Sequence, residues 1–161
     1  MSFIGKWFGF GRDEDYDRGV RAFDCGMYED ALKAFDSSIA NGKDPATVRL
    51  AKFYKAESYA QLGQAALRSE NFEAAIDYLE KAVELHPTFP DLRMHLAVAH
   101  GAIGDRGSQE RELGHALKLN PSFARAVLLN GILQYEDSNF EGGLANIDQA
   151  MELEPSLRSE R

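Results

Sequence analysis

The chain has 161 residues, a net charge of −8 and a pI near 5.0, and its hydrophobic and charged fractions are those of an ordinary soluble protein. This acidic balance argues against a nucleic-acid binder, because neutralising phosphates requires clustered Lys and Arg. Cys25 is the only cysteine, so no internal disulfide can form and a reducing compartment is expected.

The first eleven residues form an apolar, aromatic leader that contains several glycines. In a helix, Phe3, Ile4, Trp7 and Phe8 would share one face, with Lys6 opposite. The leader is too short for a secretory signal core, and no stretch of the chain approaches the roughly 20 apolar residues that span a bilayer. We therefore expect a cytoplasmic protein whose leader packs on protein, lies on a membrane surface or is disordered.

Helices are predicted in pairs after the leader. Acidic residues from Arg12 onward suit the first turn of a helix that ends near Asp24, and a second helix runs from about Tyr28 to Ala40. Asp44, as an N-cap, and Pro45, at the first helical position, then predict the start of a third helix. No strong breaker follows until about residue 68, which predicts a helix of about 24 residues that projects beyond its neighbours by roughly 15 Å.

From Phe72 to Pro155 the sequence repeats itself with a fixed period. Pro87, Pro121 and Pro155 end three similar segments and are 34 residues apart (121 − 87 and 155 − 121). The period predicts helices near 71–85, 90–103, 106–119, 122–137 and 139–153. Two hydroxyl residues each precede an acid by three positions, and these predicted capping boxes are Thr88 with Asp91 and Ser138 with Glu141. The polar tail, 156–161, is expected to fray.

Equivalent positions of the period carry the same kinds of side chain. Small residues stand at position 8 (Gly19, Gly63, Ala97, Gly131), large ones at position 24 (Phe35, Leu79, Leu113, Ile147) and small ones at position 27 (Ser38, Ala82, Ala116, Ala150). This pattern resembles the tetratricopeptide repeat (TPR) family over roughly residues 12–155. The resemblance implies one all-α domain, a right-handed α-solenoid of about four TPR-like helix-turn-helix units, with an extended first helix in the second unit.

Some positions depart from the family pattern. Arg106 and Gln109 stand where the third unit should carry an aromatic residue and an alanine, so we expect its second helix to be rotated or loosely packed. No polar capping helix follows Pro155. The last helix should therefore leave an apolar face open, and that face or the leader is a candidate contact for a homo-oligomer.

The first helix of each TPR unit lines a concave face that receives a peptide or a helix. Carried onto this chain, the resemblance implies a partner-binding groove formed by Tyr16, Val20, Phe23, Gln64, Leu67, Met94, Val98, Arg125, Leu128, Ile132 and Tyr135. The basic and amide residues with which some members of the family grip a chaperone's terminal carboxylate are missing from the first two units. The groove is instead apolar with an acidic rim, which suits an amphipathic helix or an aromatic-bearing segment, preferably with basic residues. In the alternative interpretation, some of these residues only contact neighbouring helices.

No catalytic constellation, metal site or cofactor site is predicted. His95 and His100 lie about 140° apart around one helix and cannot share a metal ion, and Cys25 has no suitable partner. We therefore expect a non-enzymatic adaptor or scaffold whose TPR groove binds a segment of a partner protein. The alternative is a peripheral membrane assembly factor that is tethered by its leader.

Overall fold

The computed structural model describes residues 13–158, and every regular element in that part of the chain is helical. The α-helices are α1 (Glu14–Asp24), α2 (Tyr28–Asn41), α3 (Pro45–Arg68), α4 (Phe72–Leu85), α5 (Pro90–Ala102), α6 (Arg106–Leu119), α7 (Ala124–Glu136) and α8 (Phe140–Leu153). A short 3₁₀ helix, Pro155–Arg158, follows α8. The all-α class and the paired helices are confirmed, and each predicted boundary falls within two residues of the observed one.

The chain divides into two compact units between Ser58 and Tyr59, in the middle of α3. The first unit contains α1, α2 and the N-terminal part of α3. The second contains the rest of α3 and the following helices. That residues 12–155 behave as one domain stays a prediction.

The extra turns at the start of α3 pack against the first helix pair. Ala51 is fully buried in the cluster around Phe35, and the ring of Tyr54 stacks on the ring of Phe35 at 5.7 Å. The expectation that these turns project freely is wrong within this unit, because Ala51 and Tyr54 give them an apolar face that the first pair covers.

Position 27 of the first repeat holds a serine whose buried hydroxyl has a hydrogen-bond partner. Ser38 is fully buried and donates a hydrogen bond of 2.7 Å to the carboxylate of Asp13. The other oxygen of that carboxylate accepts from the backbone N–H of Tyr16 and caps α1. One acid thereby ties the start of α1 to α2.

In the second compact unit, clusters of buried apolar side chains join successive helix pairs. Leu79 and Leu113 are almost completely buried, and Ala82, Ala116 and Ala150 at position 27 are fully buried. These small residues let adjacent helices approach closely while the leucines fill the space between them. The packing explains why the sequence keeps small and large residues at fixed positions.

The turn inside each helix pair has one geometry. Gly26, Glu70, Gly104 and Ser138 occupy the same repeat position, and each has a positive φ, between 58° and 78°. Two of the four turns use glycine, which adopts this conformation at little cost. The other two carry a side chain there.

The capping boxes predicted at Thr88 and Ser138 are wrong. The N-cap residue of α5 is Phe89, which makes no side-chain hydrogen bond to the helix. The N-cap residue of α8 is Asn139, whose side chain accepts a hydrogen bond from the N–H of Gly142. Ser138 lies in the left-handed turn instead. The caps that the structure uses recur with the repeat period: Asn71, Asp105 and Asn139 each accept from the backbone N–H three residues later. This periodicity was the better signal for helix starts.

The predicted fraying of the tail is also wrong for the part that the structure describes. Leu157 in the 3₁₀ helix is only 8% exposed and packs with Ala124, Val127 and Ala150. The sequence did not indicate this packing, because Leu157 is a single leucine among polar neighbours. On α8, Phe140 and Leu144 remain about half exposed, and contact of a second copy with this face stays a prediction.

Candidate functional site

The groove residues predicted in the first unit lie in an aromatic cluster. Tyr16, Val20 and Phe23 are half-buried around Phe35 and Tyr54, and the rings of Phe23 and Tyr54 meet edge-on at 5.4 Å. Burial raises the pKa of Tyr16, and the charges of Tyr54 and Asp17 add to the effect. These side chains present only part of their surface to a ligand.

The groove residues predicted in the second compact unit differ in exposure. Val98 on α5 and Ile132 on α7 occupy the same repeat position and are 39% and 40% exposed, and Tyr135 is 47% exposed. We call these three residues the exposed apolar strip. The others are placed as follows: Arg125 is exposed, Gln64, Leu67 and Leu128 are half-buried, and Met94 is buried between α5, α6 and α7.

A recess of about 320 Å³ opens beside the exposed apolar strip. It lies between the C-terminal end of α5, the start of α6 and α7, and its lining is formed by Gly101, Gly104, Arg106, Gln109, Leu129, Ile132, Leu133 and Glu136. We call it the Gly101 recess. Among its lining residues, only Ile132 belongs to the predicted groove. Gly101 occupies a groove position of the family, and Arg106 and Gln109 were visible as departures from the repeat pattern, so the sequence contained the signal for this site.

Arg106 joins the third helix pair to α7. Its guanidinium lies 2.8 Å from carboxylate oxygens of Glu110, Glu136 and Asp137 and donates a hydrogen bond of 2.8 Å to the carbonyl of Leu133. The hydrogen bonds to Asp137, Glu136 and Glu110 raise the pKa of Arg106 above its ordinary value. Three carboxylates around one guanidinium leave this edge of the recess with a net negative charge.

The third helix pair is regular and closely packed, so the expectation of a loose or rotated α6 is wrong. Gln109 is 9% exposed, and its amide occupies the space where a Cβ on Gly101 would stand. Arg93 of α5 donates a hydrogen bond of 2.6 Å to Glu112 of α6, which is almost fully buried. A glycine makes room for the long Gln109 side chain, and an ion pair joins the two helices.

Glu112 remains ionised although it is buried. Burial alone would raise the pKa of its carboxyl, but the hydrogen bond and the charge of Arg93 outweigh burial and hold that pKa below 4.5. Arg111 and His115 contribute in the same direction. This carboxylate is a structural group between α5 and α6.

A second cleft, of about 520 Å³, lies in the first unit. Its lining includes Arg18, Arg21, Lys33, Cys25 and Met27. Arg18 and Lys33 are engaged by Asp15 and Asp30 at 2.7 and 2.9 Å. None of these residues belongs to the predicted groove.

Between residues 13 and 158, no three His, Cys, Asp or Glu side chains gather closely enough to hold a metal ion. None of the helices described there combines the length and apolar character that crossing a bilayer requires. Burial lowers the pKa of His95 against the opposing effect of Asp91, and Arg125 adds to the lowering. The predicted leader contacts, Phe3, Ile4, Trp7 and Phe8, lie outside the described residues, so the membrane-tethered alternative stays a prediction.

Comparison with known proteins supports the repeat assignment. The family model of the tetratricopeptide repeat matches residues 56–89, which coincide with the second repeat in the frame used above. The small glutamine-rich tetratricopeptide repeat-containing protein 2 of Mycosarcoma maydis is 28% identical over 102 residues, which make up 63% of this chain and 29% of that protein. The chain spans less than a third of the length of the curated relatives that it matches.

Solved structures share the fold. The first TPR of Spaghetti (RPAP3), bound to an HSP90 peptide, has a TM-score of 0.58 and 24% identity, and the match covers 63% of this chain and 80% of that one. YrrB, described as a TPR protein with an unusual peptide-binding site, has a TM-score of 0.57 and 20% identity, with coverage of 88% and 68%. The chain therefore carries a tetratricopeptide repeat at residues 56–89 and shares the fold of these TPR structures.

Proposed function

We propose that this protein is a non-catalytic adaptor that binds an amphipathic segment of another protein on the first-helix face of its second compact unit. The observation that carries the proposal is the exposed apolar strip. Val98, Ile132 and Tyr135 each stand at a ligand-facing position of the family and leave 39–47% of their surface in solvent. Exposed apolar side chains aligned on neighbouring first helices favour a partner that buries them.

The comparisons support this class of function. The Spaghetti (RPAP3) domain holds an HSP90 peptide, and YrrB has a peptide-binding site. The expected ligand differs from a chaperone C-terminus, because Gln64 and Leu67 stand at groove positions of the second repeat and bring no positive charge to grip a carboxylate. An apolar segment with basic flanks fits the strip and the acidic charges near it better.

The test is a peptide selection with matched variants. A library of random peptides displayed on phage is panned against the full chain, and the affinity of the enriched peptides is measured for Val98→Glu/Ile132→Glu. We expect a loss of at least about tenfold, since the burial of charge would oppose binding by more than about 1.4 kcal/mol in total. Leu128 is not used, because it is half-buried against α8 and its substitution would disturb the fold.

The control is Leu119→Glu/Leu153→Glu. These leucines also share one repeat position and are 41% and 43% exposed, but they lie on second helices. The control should bind the enriched peptides like the unmodified chain. Binding that survives Val98→Glu/Ile132→Glu, or that is lost equally in both double variants, would contradict the proposed face.

A further inference from the structure

The first, second and fourth helix pairs carry two large side chains, five residues apart, where the first helix ends and the second begins. In the first pair, the rings of Phe23 and Tyr28 meet at 5.5 Å, and in the fourth pair those of Tyr135 and Phe140 meet at 4.9 Å. The second pair has Leu67 and Phe72 at these positions. Large side chains thus occupy both positions in three of the four pairs, and their rings are in contact in the first and the fourth.

The third pair lacks both side chains. Gly101 stands where the other first helices carry Phe, Leu or Tyr, and Arg106 stands where the other second helices carry an aromatic residue. The Arg106 guanidinium is held by carboxylates of α6 and of the α7 end. The Gly101 recess, of about 320 Å³, is the space that remains. An apolar cavity of about 150 Å³ is enough to hold benzene, so an aromatic ring fits.

The residues that line the recess favour a ligand with particular groups besides an aromatic ring. Leu129, Ile132 and Leu133 supply apolar contacts. Gln109 is 9% exposed, and its side-chain amide makes no hydrogen bond to any residue within 13–158. The amide therefore has a donor and an acceptor to offer to a ligand in the recess. Arg106, which also lines the recess, is a favourable neighbour for the face of a ring.

We propose that the Gly101 recess is a socket for a tyrosine or tryptophan side chain of the bound segment, next to a lysine or arginine of the same segment. This inference rests on the proposed function and names the feature that the groove selects. The ring fills the space left by the missing pair, and its hydroxyl or indole N–H meets the Gln109 amide. The neighbouring cation meets Glu136 and Asp137, whose charges exceed the single charge of Arg106.

The test uses three blocked tripeptides as probes on the full chain. Lys-Tyr-Lys is compared with Lys-Leu-Lys, which lacks the ring, and with Glu-Tyr-Glu, which reverses the charge. Backbone amide shifts of Gly101 and Gly104 are followed by NMR during titration. We expect saturable shifts with Lys-Tyr-Lys and at least about tenfold weaker binding of the other two peptides. Equal binding of Lys-Leu-Lys would overturn the proposal.

Variants separate the socket from the rest of the groove. Gly101→Leu puts a side chain where the Gln109 amide stands and so displaces that amide; it should weaken Lys-Tyr-Lys at least tenfold. Gly114→Leu, in α6, should not, because a Cβ on Gly114 meets no atom within 4 Å. Should Gly101→Leu fail to fold, Gln109→Leu serves instead. It removes the amide and should erase the preference for Lys-Tyr-Lys over Lys-Phe-Lys, and an unchanged preference would overturn the role of Gln109.

The peptides enriched on phage distinguish failure of the socket from failure of the proposed function. Val98 lies outside the lining of the recess, so Val98→Glu tests the groove alone. Enriched peptides that bind Gly101→Leu normally but lose affinity for Val98→Glu would support binding in the groove and contradict the aromatic socket. If they bind both variants normally, the proposed face fails as well. Loss in both variants, with tyrosine or tryptophan beside a basic residue in the enriched sequences, supports both.

Discussion

The third and fourth helix pairs use different side chains at equivalent positions. In the fourth pair, Gly131 and Gly143 bring the backbones of α7 and α8 together, and Tyr135 packs on Phe140 at the end. In the third pair, the residues equivalent to Gly131 and Gly143 are Ala97 and Gln109, and an ion pair joins the helices. One pair is held by close backbone contact, and the other partly by polar groups.

This difference shows how a repeat tolerates a departure from its pattern. Gln109 is too large for its position, and Gly101 on the opposite helix removes the side chain that would collide with it. Arg106 replaces an aromatic ring and forms ion pairs with residues of α7. Each departure is compensated by a second residue, and the two together leave the Gly101 recess. A structural compensation thereby creates a candidate binding feature.

The largest expected effect comes from breaking the close contact in the fourth pair. In Gly131→Ala, the new Cβ would stand 2.8 Å from the carbonyl oxygen of Gly143 and 3.0 Å from the backbone nitrogen of Ile147. Backbone atoms cannot move aside as a flexible side chain can. We expect a loss of about 3 kcal/mol in the free energy of unfolding, measured by urea denaturation.

Gly114→Ala provides the control for that experiment, because its Cβ meets open space. Alanine is the better helix former, so this variant should be more stable than the unmodified chain by about 0.5–1 kcal/mol. Equal stabilities of the two variants would mean that α7 and α8 can separate without cost, and the contrast between the two pairs would be lost.

An intermediate effect is expected when the polar joint of the third pair is broken. Glu112→Gln leaves the partly buried charge of Arg93 without its counterion. Removing one partner of a buried ion pair costs about 3–5 kcal/mol, and the glutamine oxygen still accepts one hydrogen bond, so we expect a loss of about 2 kcal/mol. Glu110→Gln, an exposed acid of the same helix, should cost less than about 1 kcal/mol.

The effect of Glu112→Gln should depend on pH. The pKa of Glu112 in the folded protein lies below 4.5, so its stabilising contribution is complete above pH 4.5 and is lost as the pH falls through the lowered value. The stability difference between the unmodified chain and Glu112→Gln should shrink as the pH falls below about 4.5. A difference that does not shrink below that pH would contradict the assigned ion pair.

Local features that follow the period could be predicted from the sequence. The helix boundaries were predictable because the segments repeat with a fixed period and Pro87, Pro121 and Pro155 mark the ends of the repeats. The resemblance to the TPR family also indicated which positions are expected to face a ligand. It could not show that Met94 is buried while Val98 is exposed, because that depends on how far each neighbouring helix covers the shared face.

Features that depend on contacts between distant residues could not be predicted. Arg106 is paired with Glu136, thirty residues away, and no local pattern connects the two. The packing of Tyr54 on Phe35 likewise depends on the tertiary arrangement of the first unit, so the extra turns of α3 were wrongly expected to project. Arg106 and Gln109 marked the place of the recess as departures from the pattern, but its shape could not be predicted, since its walls come from α5, α6 and α7 at once.

The smallest expected effect comes from giving the third pair the residue that the fourth pair has. Arg106→Phe restores the aromatic residue of the pattern and removes pairs with Glu110, Glu136 and Asp137. Exposed pairs contribute about 0.2–1 kcal/mol each, and the new ring regains part of this by filling the recess, so the net loss should be no more than about 1 kcal/mol. Salt sharpens the test, because it weakens the attraction in the unmodified chain and relieves the repulsion among the three acids in the variant. The stability difference measured by urea denaturation should therefore shrink as sodium chloride is added, and Arg106→Gln, which lacks the ring, should show the same salt dependence with a larger loss at every concentration. A difference that does not change with salt would mean that the ion pairs of Arg106 do not hold the third pair to α7.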